Sequence, residues 1–423
     1  MRNLTPRELA AVAAVDRDRI AADLAALVAI RSLTGEEGEV QSELALRMGT
    51  AGLEVERTDH TASDIAADPD FPGIEVARES LPVVSGRISG QPGGRRVLIS
   101  GHVDVVPAGD ELQWSSPPFS PVVRDGRLYG RGACDMKAGV VAGLAALRAL
   151  VETGGIDDRA GTATLVTVPS EEDGGAGTLA AIRSGHTGDA CVITEPTRLQ
   201  VVTAQAGAIT FRMTVTGRAA HAAFRKEGVS ALDALWPLLL GLRDDEQRRN
   251  RAEKLRVMRD LGLPYPTSIG RVIAGDWPSS VPDRLVAEGR YGVAVGQTVD
   301  QAEQELRSAV ALACRADPWL SEHPPSIEVT GGRFASAALP AGHPLQWSLG
   351  TAARDVLGRL PEFVGVPYGA DMRLFVHQGA TPTVMFGPGD ARLAHAPDEH
   401  VDLEEVARCA RTLAVWVLRE LAS

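Results

Sequence analysis

Short apolar runs alternate with helical patterns through the first half of the chain and again near its end. Uninterrupted apolar runs, which are typical of strands buried on both faces, lie at residues 96–100, 162–168, 189–193 and 382–386. Helical patterns cover residues 16–32, residues 137–151 and the segment that Asp402 caps. The stretch 58–85 is rich in Asp and Pro, which predicts a surface loop with little regular structure. The alternation of strands and helices predicts a layered α/β domain.

Between residues 206 and 330 the pattern changes, starting with a run in which apolar and polar side chains alternate. The first run has Ile209, Phe211, Met213 and Val215 on one side, as a strand with one solvated face does. The other elements predicted there are helices at 230–243 and 299–314 and strands at 268–274, 283–295 and 326–330. Their β-α-β-β-α-β order is the split βαβ, ferredoxin-like arrangement. We therefore predict an α+β domain at 206–330, inserted into a discontinuous first domain formed by 1–205 and 331–423.

Composition narrows the class of function. The 43 basic and 55 acidic residues leave a formal net charge of −12 spread along the chain. No basic stripe for nucleic acid and no polybasic patch for a membrane is therefore expected. Four distant cysteines without a CxxC pair fit a reducing compartment. Because the N-terminus also lacks the apolar core of a signal peptide, we expect a cytoplasmic protein.

Segments that carry acids and histidines adjoin the buried strands. They are SGHVDVVPAG, GRGACDMKAG, VPSEEDGG, VITEPT and AHAPDEHV. Because ligands bind at the carboxyl ends of strands in open α/β sheets, these segments can converge on one site. Each segment alone is more often a surface or hydrogen-bonded feature, but the coincidence of all of them favours a metal site.

The candidate ligands are imidazoles and carboxylates without a thiolate, a mixture that suits zinc or cobalt in a catalytic site. They are His102, Asp135, Glu171, Glu172, Glu195 and His395. Asp104 lies two residues after His102 on an extended segment, so its carboxylate can accept the other ring N–H. Since the side chains of Glu171 and Glu172 diverge, one is expected to bind metal and the other to move protons.

The same segments resemble the motifs of the metallopeptidase and deacylase family that contains acetylornithine deacetylase, succinyl-diaminopimelate desuccinylase, aminoacylase and glutamate carboxypeptidase. The motifs occur in the family's order along the chain. The resemblance implies a mixed-sheet, zinc-exopeptidase-like catalytic domain and an inserted domain through which two subunits form a homodimer. It also implies two divalent metal ions, with zinc expected and cobalt or manganese as alternatives.

The resemblance assigns the metal ligands. Asp135 would bridge the two ions, His102 and Glu195 would complete one site, and Glu172 and His395 would complete the other.

The resemblance also assigns the residues that act beside the metals. Asp104 would orient His102, and Glu171 would be the general acid and base. His221, in GRAAHAA, would reach the partner's active site, although a plain turn histidine is the alternative. The peptide bond between Asp135 and Met136 is expected to be cis.

Substrate recognition is less specified. WPSSVPDR, YGADMRLF and the insertion near ADPDFP look most like the bacterial deacylase and deformylase branch. Ser279 and Ser280 stand where the family commonly has an Asn, and Ala370 stands where desuccinylases typically have a Thr. Gly369, in the same small-residue loop, is a substrate-binding candidate. Arg290 is a second one, because a guanidinium can hold both oxygens of a carboxylate, unless it is simply a strand-face arginine.

These observations predict a metal-dependent amidohydrolase that removes an acetyl, formyl or similar N-acyl group from a small amine or amino-acid-like substrate. The ions would activate a water, and Glu171 would take its proton and pass it to the leaving amine. Alternatives within the family are a carboxypeptidase or dipeptidase and a carbamoyl-amide hydrolase. A non-catalytic scaffold is a further alternative, which the retained ligands and Glu171 disfavour.

Overall fold

The computed structural model describes residues 3–156 and 158–422, which form two compact units. The discontinuous unit comprises Met1–Thr203, Ala338–Val364 and Ala370–Ser423. The inserted unit comprises Ala204–Ala337 and Gly365–Gly369. The predicted segment 206–330 lies within the inserted unit, which also takes in the residues up to 337 and the short return at 365–369.

The strands and helices are numbered here in chain order. The strands are β1 (Glu54–Thr61), β2 (Ser80–Ser89), β3 (Gln91–His102), β4 (Val122–Arg124), β5 (Arg127–Tyr129), β6 (Ala160–Val168), β7 (Ala190–Ile193), β8 (Val201–Gln205), β9 (Gly207–Thr216), β10 (Thr267–Ala274), β11 (Arg284–Val293), β12 (Ser326–Phe334), β13 (Ala337–Ala338), β14 (Phe363–Val366), β15 (Thr383–Met385) and β16 (His400–Asp402). The helices are α1 (Pro6–Ala14), α2 (Arg17–Ala29), α3 (Gly38–Thr50), α4 (Ala62–Ala66), α5 (Ala138–Glu152), α6 (Ala176–Arg183), α7 (Ala231–Arg251), α8 (Arg256–Arg259), α9 (Val299–Cys314), α10 (Pro318–Glu322), α11 (Pro344–Leu357), α12 (Met372–His377) and α13 (Leu403–Glu420).

A large mixed sheet organises the discontinuous unit. Its strand order is β1-β2-β6-β3-β7-β15-β8-β13, with β14 paired to β8. Strand β3 is parallel to β6 and β7, and β15 is parallel to β7. Strand β2 pairs with β1 and β6 in antiparallel fashion. The predicted α/β class is therefore confirmed, and the parallel strands β3, β6, β7 and β15 contain the apolar runs seen in the sequence.

Helices α5 and α13 pack on each other and are buried along most of their length. Helix α13 begins after Asp402, whose carboxylate accepts the backbone N–H groups of Glu404 and Glu405 as an N-cap. Helix α2 begins after the N-cap Asp16 and buries Ile20, Leu24 and Leu27, as its periodicity predicts.

The inserted unit has the predicted β-α-β-β-α-β order. Its sheet runs β10-β11-β9-β12, and α7 and α9 cover the apolar face that includes Phe211 and Met213. Helix α7 extends to Arg251, beyond the predicted end at residue 243. In the parts of the chain that the structure describes, no helix is both long and apolar enough to cross a membrane.

The prediction of an irregular loop at 58–85 holds for residues 67–79 and is wrong for the rest. The region contains the end of β1, all of α4 and the first half of β2. Strand β1 is an edge strand that pairs with β2 alone among the residues described, and its sequence EVERTDHT is mostly solvent-exposed. A strand that is wet on both faces carries no apolar alternation, so its sequence gave no signal.

Candidate metal centre

The ends of the parallel strands deliver the candidate ligands. His102 is the last residue of β3, the pair Glu171 and Glu172 follows β6, and Glu195 follows β7. The remaining two candidates reach the same place from other elements. Asp135 lies in the turn before α5, and His395 lies in the segment after β15. All six residues belong to the discontinuous unit.

The carboxylate of Asp135 lies between two imidazoles. Its Oδ1 is 3.2 Å from Nε2 of His102, and its Oδ2 is 3.4 Å from Nε2 of His395. Nε2 of His395 also lies 3.1 Å from Oε1 of Glu172. Donor atoms of His102, Asp135 and Glu172 all lie within 4.8 Å of one another, a spacing that could hold a metal ion. The peptide bond between Asp135 and Met136 is cis, as expected.

The site brings four carboxyl groups together where little water can solvate their charges. Burial, together with neighbouring negative charges, raises the pKa of Glu195 to about 8 and that of Glu171 well above its ordinary value. Burial likewise raises the pKa of Glu172. Hydrogen bonds from His102 and His395 outweigh burial at Asp135 and lower its pKa. Among these four acids, the protein lowers the pKa of Asp135 alone.

The two imidazoles carry the compensating charge. Burial favours neutral His102, but its hydrogen bond with Asp135 and the charges of Glu195 and Glu171 raise its pKa well above the usual value. Hydrogen bonds with Asp135 and Glu172 raise the pKa of His395 to about 10. The carboxylates around His102 and His395 therefore favour a positive charge at both imidazoles. A cluster of nitrogen and oxygen donors that attracts positive charge fits divalent metal ions of the zinc type.

Asp104 makes contacts that differ from the predicted one. The backbone carbonyl oxygen of Asp104, at 3.0 Å, accepts from Nδ1 of His102, whereas the carboxylate Oδ1 is 3.6 Å away. The carboxylate instead accepts the backbone N–H of Glu171 on Oδ1 and that of Glu172 on Oδ2, each at 3.1 Å. Thr34 donates its hydroxyl to Oδ2 at 3.2 Å. Asp104 therefore links His102, through its carbonyl oxygen, to the backbone of Glu171 and Glu172, through its carboxylate.

A buried ion pair supports Asp135 from behind. Oε1 of Glu399 accepts the backbone N–H groups of Cys134 at 2.8 Å and of Asp135 at 3.0 Å. Arg131 donates to Oε2 of Glu399 at 2.5 Å. Sequence reasoning missed both residues, although GRGACDMKAG and AHAPDEHV contain them. The available signal was a pair of opposite charges, Arg131 in one motif and Glu399 in another, in segments expected to converge.

Lys137 is a further buried cation that sequence reasoning missed. It has no exposed surface, and its Nζ donates to the carbonyl oxygens of Leu27 at 2.9 Å and Ile30 at 3.0 Å. Burial lowers the pKa of Lys137 to about 7. The side chain thus ties the C-terminal end of α2 to the turn that carries Asp135.

The start of α12 contacts the segment that follows the glutamate pair. Arg373, which is buried, donates through Nη2 to the carbonyl oxygen of Gly174 at 2.5 Å. Asp371 accepts the hydroxyl of Thr178 at 2.5 Å and contributes negative charge that raises the pKa of Glu171. Both residues lie in YGADMRLF, which the sequence analysis associated with substrate binding.

The other candidate residues belong to the inserted unit. His221 is exposed, and its Nδ1 accepts the backbone N–H of Ala223 at 3.1 Å, so a neutral ring carries its proton on Nε2. His221 also forms a β-bridge with Ser280 of WPSSVPDR.

Arg290 and Gly369 lie elsewhere in that unit. Arg290 donates through Nη2 to the carbonyl oxygen of Pro367 at 3.2 Å, and burial lowers its pKa. Gly369 follows two residues later and packs against Phe334. The guanidinium is thus placed beside the small-residue loop that contains Gly369.

Solved structures share this fold. An M20-family metallo-carboxypeptidase from Sulfolobus solfataricus superposes with a TM-score of 0.73 at 16% identity, covering 96% of this chain and 100% of that one. A dinuclear metal-binding M20 peptidase from Bacillus subtilis gives a TM-score of 0.64 at 17% identity, covering 96% and 98%.

Curated relatives match over most of the chain. A succinyl-diaminopimelate desuccinylase from Alkalilimnicola ehrlichii is 29% identical over 405 residues, which is 90% of this chain and 95% of the relative. An N-formyl-4-amino-5-aminomethyl-2-methylpyrimidine deformylase from Bacillus subtilis is 26% identical over 362 residues, or 80% and 82%.

The sequence profile of one family covers residues 98–419, well over half of the chain. The matched range includes every candidate ligand, from His102 to His395. The chain belongs to the peptidase family M20/M25/M40.

Proposed function

We propose that this protein is a metal-dependent amidohydrolase that removes an N-acyl group, such as acetyl or formyl, from a small amine or amino-acid-like substrate. The observation that carries the proposal is the placement of one carboxylate, Asp135, between His102 and His395. The desuccinylase and deformylase relatives, both of which cleave an acyl group from nitrogen by name, support this reaction class.

The donor set supports two divalent ions that share Asp135. His102 and Glu195 would hold one ion, and Glu172 and His395 would hold the other. Imidazole and carboxylate donors suit zinc, which we propose as the native metal, with cobalt or manganese as alternatives. When bound, such ions polarise the substrate carbonyl and acidify water.

Glu171 is proposed as the residue that moves protons. Its backbone is fixed by Asp104, and its raised pKa lets a carboxylate accept a proton near neutral pH. It would take the proton of the attacking water and deliver it to the amine nitrogen as the C–N bond breaks. The products are a carboxylate and an amine.

A second copy of the chain is proposed to complete the site. Strand β10 is an edge of its sheet, and Val272, Ile273 and the following Trp277 are exposed. Helix α7 exposes Leu232, Trp236 and Leu240, spaced four residues apart on one stripe. An exposed apolar edge strand and helix stripe are suited to twofold pairing. We propose a homodimer in which the Nε2–H of His221 donates to the developing oxyanion of the partner's substrate.

Substrate binding and location complete the proposal. Arg290 beside the Gly369 loop would hold a substrate carboxylate. The four cysteines are free and buried, which supports a reducing compartment and hence the cytoplasm.

The alternative is a carboxypeptidase or dipeptidase, which the carboxypeptidase fold neighbour keeps open, or a carbamoyl-amide hydrolase. The deciding experiment is hydrolysis of acyl-amino acids, dipeptides, carbamoyl amides and formylaminopyrimidines by the zinc- or cobalt-loaded protein, with Glu171→Gln as the control. Turnover of acyl-amino acids or formylaminopyrimidines that Glu171→Gln abolishes would support the deacylase. Turnover confined to dipeptides would replace it with the peptidase.

A further inference from the structure

A buried arginine outside the metal centre holds the loop that carries the two catalytic-site glutamates. We call residues 169–175 the acid loop and residues 73–79 the strap. Arg78 of the strap has a side chain only 1% exposed. Its Nη1 donates to Glu37 at 2.9 Å, and its Nη2 donates to Asp173 of the acid loop at 2.7 Å.

Asp173 anchors the acid loop through both of its oxygens. Oδ1 accepts the hydroxyl of Ser170 at 2.5 Å, inside the loop. Oδ2 accepts Arg78 and also the backbone N–H groups of Glu75 at 3.2 Å and Val76 at 3.0 Å. Because Asp173 directly follows Glu172, these bonds fix the backbone from which the Glu172 side chain leaves.

The strap and the acid loop also touch through their backbones. Gly174 has a φ of 146°, and a Cβ built there would lie 2.3 Å from the carbonyl oxygen of Gly73. Only glycine permits both this conformation and this approach. The strap is therefore fitted against the loop rather than resting near it.

The charge balance argues against a purely stabilising role. Glu37 and Asp173 are 2% and 4% exposed, so one guanidinium and two carboxylates are withdrawn from water together. A buried ion cluster of this kind often contributes no more stability than apolar side chains of the same volume. The cluster holds the acid loop at Asp173, and the Asp104 carboxylate holds it at the backbone N–H groups of Glu171 and Glu172.

We propose that Arg78 is a positioning residue. By holding Asp173, it sets the backbone of the acid loop and hence the direction in which the side chains of Glu171 and Glu172 point. The inference rests on the proposed function for the roles of those two glutamates. The strap would then control how well the ion at Glu172 and His395 is held, and how well Glu171 is aimed at the water.

The test compares Arg78→Met and Arg78→Lys with a matched control, Arg183→Met. Methionine keeps the length of the side chain without its donors. Lysine keeps the charge but offers one nitrogen, which cannot occupy the separate positions of Nη1 and Nη2. Arg183 pairs with Asp68 and Asp70, just before the strap, at a more exposed site.

Three measurements are made well below the thermal midpoint of each variant. They are the affinity for each zinc ion by chelator competition, kcat and KM on the best amide substrate, and amide hydrogen exchange of a peptide covering 169–175. In both Arg78 variants we expect the weaker zinc affinity and kcat to fall about 10- to 100-fold, the usual range when a residue supporting a metal ligand is lost. KM should stay near the wild-type value, and exchange in the acid loop should rise. Arg183→Met should leave all three unchanged.

Wild-type zinc affinity, kcat and exchange in a folded Arg78→Lys protein would overturn the proposal, as would changes of equal size in Arg183→Met. If Arg78→Met does not fold, Arg78→Lys carries the same comparison, because it leaves the buried carboxylates compensated. If the wild-type protein hydrolyses no amide, the proposed function fails, yet zinc affinity and exchange still decide whether Arg78 positions the loop.

Discussion

The carboxylate of Asp104 accepts the backbone N–H of Glu171 at 3.1 Å, so a residue two positions after the proposed ligand His102 also fixes the proposed base. Asparagine at this position keeps one acceptor oxygen and replaces the other with a donor, which cannot serve the second N–H. We expect Asp104→Asn to lower kcat about 10- to 100-fold with little change in fold. Steady-state kinetics and far-UV circular dichroism check this. Thr34→Ala is the control. It removes only the hydroxyl that donates to Asp104 and should lower kcat less.

The adjacent glutamates should separate in function. Glu171→Gln should retain both metal ions and lose about 10²- to 10⁴-fold in kcat, the range for a general acid–base group. Glu172→Gln should instead weaken the site shared with His395. Metal analysis after dialysis, together with kcat, distinguishes the two. The reverse pattern would exchange the roles of the pair.

Metal binding should release protons. In the metal-free protein His395, with a pKa of about 10, and His102, with a strongly raised pKa, are protonated at pH 7. An imidazole must be neutral to bind a metal, so apparent zinc affinity should rise as the pH rises toward 10. Calorimetric titration in buffers of different ionisation enthalpy measures the protons released.

Asp135→Asn should lose metal, because the proposed bridging carboxylate is removed. Stoichiometric retention of metal would show that Asp135 is not the bridge.

Catalysis should require both subunits. Mixing inactive His221→Ala with inactive Glu171→Gln should produce heterodimers in which one site has both residues intact. Random twofold pairing of equal amounts gives about a quarter of the wild-type activity. Subunit exchange is followed by native mass spectrometry. A mixture that exchanges yet stays inactive would mean that His221 does not act across subunits.

Two histidines away from the metal centre should make stability depend on pH. Burial lowers the pKa of His60 and His186 below the ordinary 6.5, and Nε2 of His60 lies 2.7 Å from the Ser184 hydroxyl. Their stabilising effect is complete above pH 6.5 and is lost as the pH falls below it, because the unfolded chain then binds protons more readily. His60→Gln and His186→Gln should each flatten this slope by at most about 1.4 kcal/mol per pH unit. Urea unfolding between pH 5 and 8, a window set around the ordinary histidine pKa, measures it. Slopes identical to wild type would contradict the assignment.

Sequence patterns predicted the elements that are buried and periodic. The buried parts of β3, β6, β7 and β15 are mostly apolar because both of their faces are covered, and α9 has the predicted bounds, 299–314. The patterns failed where exposure removes the signal, as in β1. Helix α1 was not predicted either, although a capping box between Thr5 and Glu8 and a proline at its first position mark its start.

The candidate ligands could be nominated from the sequence because they lie in recognisable motifs, most of them at or just after a strand end. Their supporting residues could not. Arg78 lies in a stretch whose composition indicated a loop, and its partners Glu37 and Asp173 are far from it in sequence. Asp104 was singled out for its carboxylate, and only coordinates show that its carbonyl oxygen lies closer to Nδ1 of His102.

Strand β15 lies between β7 and β8, with Thr383 opposite Cys191 and Met385 opposite Val202. On the ribosome, therefore, β7 and β8 are synthesised long before the strand that separates them in the sheet. Until then two apolar edges stay open, the situation in which nascent chains aggregate or recruit chaperones. The last ligand, His395, emerges later still. Completion of this sheet and of the proposed metal site therefore waits until the segment from residue 383 to residue 395 has been synthesised.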